Sequence, residues 1–230
     1  MFSEIILISV CGSLLCLDRV FIQAMISRPI VIAPAIGFFL NNLYAGLIIG
    51  ALIELIWIDR LQIGTYIPPN DSIAAVVATS VASVAGSHLG RVSPEIIALS
   101  VLVAIPCGLL AKELDVINVK YNNMLSDKAL EDAKDVNIKA IERKNYMGLI
   151  RVFLVYALFL LAAQMVLVPS VIWLYPKFNQ TLLTALSFTY YFLPLLGIAV
   201  AINMLKLRNA IPVVCAVFLV VAVLLEIFHV

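Results

Sequence analysis

The chain has 230 residues, of which 63% are apolar and only 13% charged, with a formal net charge of +1 and a mean hydropathy of +1.10. A water-soluble domain carries about a quarter charged residues and has no interior large enough to hide this much apolar surface, so lipid must be part of the solvent. The charge balance excludes a nucleic-acid partner, because no basic stripe exists to neutralise phosphates. The length suits a single all-α, polytopic membrane domain over residues 1–230.

Apolar stretches run over 5–17, 30–40, 43–58, 73–86, 96–111, 149–175, 181–205 and 210–228. The first is read as retained structure, because Glu4 stands where a signal peptide has its basic region. By length the last three cross a bilayer of about 30 Å, and the earlier ones do not. Residues 30–40 would reach only about 16 Å as a helix, roughly half the hydrocarbon. They are bounded by Arg28-Pro29 and Asn41-Asn42. Such short segments survive at membrane depth only where protein or a water-filled cavity surrounds them, and in transporters they build the substrate site. The N-terminal half is therefore expected to hold short, broken or re-entrant helices.

The Leu43–Ile58 run carries Glu54, a charge that would cost about 2.5–3.5 kcal/mol if it faced lipid. Glu54 follows Gly50 by four residues and Gly46 by eight, so it shares a helix face with glycines that permit close packing. It must face the interior, as the ligand of a hydroxyl-rich solute or as the ion-pair partner of Arg28 or Arg60. The next stretch, Arg60 to Asp71, contains Pro68-Pro69 and Gly64 and cannot continue a helix. Its Gln62, Asn70 and Asp71 are either donors and acceptors for the same ligand or ordinary turn formers, with Asn70 or Asp71 capping a helix that starts near Ile73. Upstream, Asp18, Arg19 and Gln23 form a polar patch that is either a mutual ion pair or a cavity wall.

Ala74, Ala78, Ala82 and Gly86 recur at four-residue spacing and indicate close helix contact. From Lys112 to Arg151 the character changes, with eight of the fifteen basic and seven of the fourteen acidic residues. Segment 112–148 is expected to be cytoplasmic by its Lys/Arg excess, with a mixed-charge surface helix over Ser126–Lys144. The four cysteines, Cys11, Cys16, Cys107 and Cys215, read as small buried apolar groups. No histidine has a partner at metal or nucleophile spacing, and no phosphate loop or hydrolase motif is present. No catalytic residue, cofactor or metal is assigned.

The run Ser27-Arg28-Pro29-Ile30, the helix Ala45-Gly46-Leu47-Ile48-Ile49-Gly50-Ala51-Leu52-Ile53-Glu54-Leu55-Ile56 and the loop Gln62-Ile63-Gly64…Pro68-Pro69-Asn70 together resemble the enzyme IIC subunit of the mannose/fructose/sorbose phosphotransferase family. The resemblance implies a multi-pass protein of the bacterial inner membrane that binds a hexose and carries it inward. A IID membrane subunit and cytoplasmic IIA and IIB units would be its partners in an oligomeric, lipid-embedded complex, with phosphoryl transfer done by those other units. It also implies that Glu54 is the sugar-binding carboxylate and that Gln62, Asn70 and Asp71 are loop ligands. This chain departs from the family pattern in having Gln62 for asparagine and Asn70 for aspartate, and its early end after Ile211 suggests a missing final segment. A scaffold without transport, or an ion-coupled transporter using Glu54, stands as the alternative.

Overall fold

A computed structural model describes residues 1–60 and 64–204. Among them the chain forms seven α-helices and no strand: α1 (Phe2–Cys16), α2 (Pro29–Phe39), α3 (Leu43–Ile56), α4 (Asp71–His88), α5 (Pro94–Lys134), α6 (Ile138–Leu174) and α7 (Gln180–Met204), with 3₁₀ turns at Leu17–Arg19 and Tyr175–Lys177. The expected all-α membrane architecture is borne out. The N-terminal apolar run forms α1, which buries Ile5, Ile8 and Cys16 in the common core.

Helices α2 and α3 form a half-length hairpin. Pro29 opens α2 at a position where its missing N–H is not needed. The reversal is made by Asn41 at φ +56° and closed by the Asn42 amide donating to the Gly37 carbonyl (2.8 Å). The two helices touch backbone to backbone. A Cβ on Gly46 would stand 2.5 Å from the Ala33 oxygen, and one on Gly50 2.5 Å from the Pro29 oxygen. No larger residue fits at either position. This hairpin packs on α4, whose alanine- and serine-rich surface is buried almost throughout, from Ser72 to Gly86.

Helices α5 and α6 are long enough to cross the membrane and continue past it. At 41 residues, α5 is about 60 Å long, twice the hydrocarbon thickness. The expectation that 96–111 is too short to span is corrected here, because the helix does not stop where composition turns from apolar to charged at Lys112. Nor is Ser126–Lys144 one helix. It breaks at Val136, with φ +53°, and Asn137 caps α6 by accepting from the Ala140 amide (3.2 Å). Lys144 ties the two arms together through the Lys128 carbonyl (2.8 Å) and the Asp132 carboxylate. Among the described residues, α5, α6 and α7 are the three helices long and apolar enough to span. The 210–228 stretch, with Cys215, lies outside the described residues.

Candidate functional site

The glycine contacts of the hairpin decide where its charges meet. Gly50 rests on Pro29, so the residue one turn further along α3, Glu54, arrives beside the residue that precedes Pro29. The Arg28 Nη1 lies 3.2 Å from Glu54 Oε1, and the Ile30 amide donates to Glu54 Oε2 (3.4 Å). That amide is one of the unpaired N–H groups of the α2 N-terminus, where the helix dipole favours an anion. The Glu54 carboxylate thus faces both a helix end and a guanidinium. Its side chain remains 20% exposed, toward a cavity of about 620 Å³, within the range of small-molecule sites.

The cavity walls come from four parts of the chain. The turn after α1 contributes Asp18 and Arg19, the hairpin contributes Arg28, Glu54 and Trp57, and the following loop and the start of α4 contribute Arg60 and Asp71. The Asp18–Arg19 patch is a cavity wall rather than a mutual pair. Asp18 accepts from the Ala24 and Ser27 amides (2.8 and 3.1 Å), which folds residues 18–27 into a compact turn. Arg19 reaches instead to Asp71 (2.7 Å). Three carboxylates (Asp18, Glu54, Asp71) and three guanidinium groups (Arg19, Arg28, Arg60) line the space, so the cavity is strongly polar and carries no net charge.

Asp71 therefore shares the cavity with Glu54, but Asn70 does not. Asn70 is 1% exposed, and both ends of its amide are committed: Oδ1 accepts from the Ile73 amide as the cap of α4 (3.0 Å), and Nδ2 donates to Asp115 Oδ2 (2.9 Å). Its own backbone amide donates to the Gly108 carbonyl (3.0 Å). Asn70, expected as a loop ligand or as a helix cap, is off the cavity lining and caps α4, and this geometry makes it the pin that holds the loop and α4 against α5. Gln62 lies outside the described residues.

Asp115, the other end of that pin, was not expected to matter. It is buried and also accepts from the Tyr156 hydroxyl of α6 (2.7 Å). A sequence signal for it exists: Asp115, Asn118, Asn122 and Ser126 recur at spacings of three, four and four, one polar stripe on a helix. Asp115 lies 21 residues beyond Pro94, about 30 Å along α5. The cavity, joined to Asp115 through Asn70 and its neighbour Asp71, therefore lies toward the end of the apolar part of α5 from which the charged α5–α6 arms project.

The family model described as "PTS system sorbose-specific IIC component" matches residues 2–229. The chain belongs to this family. Among curated relatives, an Escherichia coli (strain K12) protein provisionally named N-acetylgalactosamine permease IIC component 2 is 31% identical over 85 residues, covering 36% of this chain and 60% of that protein. The fructose permease IIC component of Bacillus subtilis (strain 168) is 24% identical over 139 residues, covering 60% of this chain and 49% of that protein. The matched regions thus span less than two thirds of either relative. Among solved structures, one described only as a membrane protein aligns over 100% of this chain and 92% of its own, with a TM-score of 0.75 and 19% identity. A cryo-EM structure of the mannose transporter ManYZ in complex with microcin E492 aligns over 96% of this chain and 87% of its own, with a TM-score of 0.63 and 18% identity. These likenesses show that the IIC-family chain and both structures share a fold, and the family resemblance carried by the Arg28-Pro29 entry and the glycine–glutamate helix is borne out.

Proposed function

We propose that this IIC-family chain is the sugar-translocating membrane subunit of a phosphoenolpyruvate-dependent phosphotransferase, and that a hexose binds in the cavity at Glu54. The observation that carries the reading is the Glu54 carboxylate, poised between the α2 N-terminus and Arg28 with a face open to a cavity of about 620 Å³. A carboxylate accepts two charge-assisted hydrogen bonds from vicinal hydroxyls, and Arg28 and Asp71 stand on the same walls to donate and accept in turn. Trp57 supplies an apolar surface for a sugar face. The equal numbers of acids and arginines favour a neutral solute over a charged one, which weighs against the ion-coupled alternative.

In this reading Asn70 is a positioning residue, and Glu54 and Asp71 are the ligands, with Gln62 as a loop ligand from the stretch between them. The charged arms from Lys112 to Gly148 face the cytoplasm of a bacterial inner membrane. The cavity lies at that same end, ready to deliver sugar to a IIB unit charged by IIA, while a IID subunit completes the membrane complex. The phosphoryl transfer itself belongs to those units.

Uptake and phosphorylation of a panel of hexoses and amino sugars, in cells with and without the chain, test the proposal. One sugar or a few should depend on the chain and be lost with Glu54→Gln. Equal uptake of every sugar in both strains would remove the transport reading.

A further inference from the structure

Behind the cavity, on the far side of Arg19, lies a second, smaller polar chamber of about 80 Å³. Its polar walls are Arg19, Asp115, Asn118, Asn122 and Tyr156. It is far smaller than a sugar site and suits only a few water-sized bodies. Its polar groups are incompletely used. Asn118 is 4% exposed, and neither its Oδ1 nor its Nδ2 has a partner; the Asn122 Oδ1 is also without one. Buried amides left unpaired are costly, so their presence together at one chamber points to something that satisfies them.

The charge count points to what that is. Asp115 is held by two neutral donors, Asn70 Nδ2 and the Tyr156 hydroxyl, and among the described residues no cation pairs with it. The guanidinium that borders the chamber, Arg19, is committed to Asp71 at 2.7 Å. Asp115 thus has only neutral hydrogen-bond partners, and a buried carboxylate is costly unless a proton or a cation neutralises it. The Asn70 amide cannot turn over to help, because its Oδ1 is held by the Ile73 amide. Asp115 Oδ2 therefore accepts.

We propose that this chamber binds a small monovalent cation of the sodium class, ligated by the Asp115 carboxylate and the side-chain oxygens of Asn118 and Asn122. Hard cations take carboxylate, amide and water oxygens, and the volume leaves room for one ion with one or two waters. A single carboxylate matches a single positive charge. A divalent ion is disfavoured, since no group of three His, Cys, Asp or Glu side chains occurs among the described residues. The site adds a link between α5, α6 and the Arg19–Asp71 pair that the sugar cavity shares.

The test uses the purified full-length chain in nanodiscs, without sugar, so its outcome is independent of the transport reading. Binding of radioactive Na⁺ is measured by scintillation proximity at fixed ionic strength in choline chloride, with unlabelled Na⁺ and K⁺ as competitors. Saturable binding is expected in the parent, with loss in Asp115→Asn and in Asn118→Leu. The second variant leaves both Asp115 hydrogen bonds in place and carries the test if the first fails to fold. Non-saturable signal in the parent, which means a chamber holding water alone, overturns the proposal. So does saturable binding that survives Asn118→Leu undiminished, which places the ion elsewhere.

Discussion

Replacing Asn70 by alanine removes two separate contributions that the structure assigns to one side chain. The cap on α4, through Oδ1 and the Ile73 amide at 3.0 Å, is worth about 1 kcal/mol. The hydrogen bond from Nδ2 to the buried Asp115 carboxylate at 2.9 Å is worth about 1.5–3 kcal/mol, as expected for a charged acceptor. Their sum is about 3 kcal/mol, which for a chain of this size lowers the melting temperature by about 6–12 °C. Asn70→Asp separates the two contributions. It keeps the cap and sets a carboxylate against Asp115, so it should still lose at least half of that stability. Combining Asn70→Asp with Asp115→Asn reverses donor and acceptor and should recover most of the loss, the signature of a direct pair. The assay is thermal denaturation of detergent-solubilised protein followed by size-exclusion chromatography. A double variant no more stable than Asn70→Asp alone, or an Asn70→Ala protein within about 1 °C of the parent, would refute the reasoning, since a single kcal/mol already moves the midpoint by about 2–4 °C.

Other outcomes follow from the same geometry. Gly50→Val places a side chain where even a Cβ meets the Pro29 oxygen at 2.5 Å; it should part α2 from α3, separate Arg28 from Glu54 and abolish sugar binding, seen as lost uptake with lowered thermal stability. Arg28→Ala should change stability little, because the Arg28 side chain of this pair is half-exposed and exposed pairs contribute at most about 1 kcal/mol, yet it should alter the apparent affinity for sugar. Tyr156→Phe removes one of the two hydrogen bonds to Asp115, a cost of about 1–3 kcal/mol readable in the same melting assay.

The hairpin was legible because its constraints are local. The Arg28-Pro29 start, the short run to Phe39 and the glycines four residues apart each act within one or two turns, and they place Glu54 without any distant contact. Asn70 was read either as a ligand or as the cap of the next helix, and the family resemblance pointed to the ligand. What commits its amide is Asp115, 45 residues downstream, in a segment whose mixed charge reads as solvated. The same composition change hid the continuity of α5. A helix satisfies its own backbone on both sides of the membrane boundary, so polarity can change at Lys112 while the fold does not. The polar stripe from Asp115 to Ser126 was present in the sequence, but only the packing of α6, with Gly148 lying against Asn122, shows that its first part, Asp115 and Asn118, is buried.

The central claim is that a hexose is bound by the carboxylate of Glu54, and equilibrium binding tests it most directly. Radiolabelled hexoses and amino sugars are titrated against the purified parent and against Glu54→Gln protein that elutes and melts like the parent. Saturable binding of at least one sugar to the parent, lost in the variant, is the predicted result. Equal binding by both proteins, with the variant folded, would contradict the account.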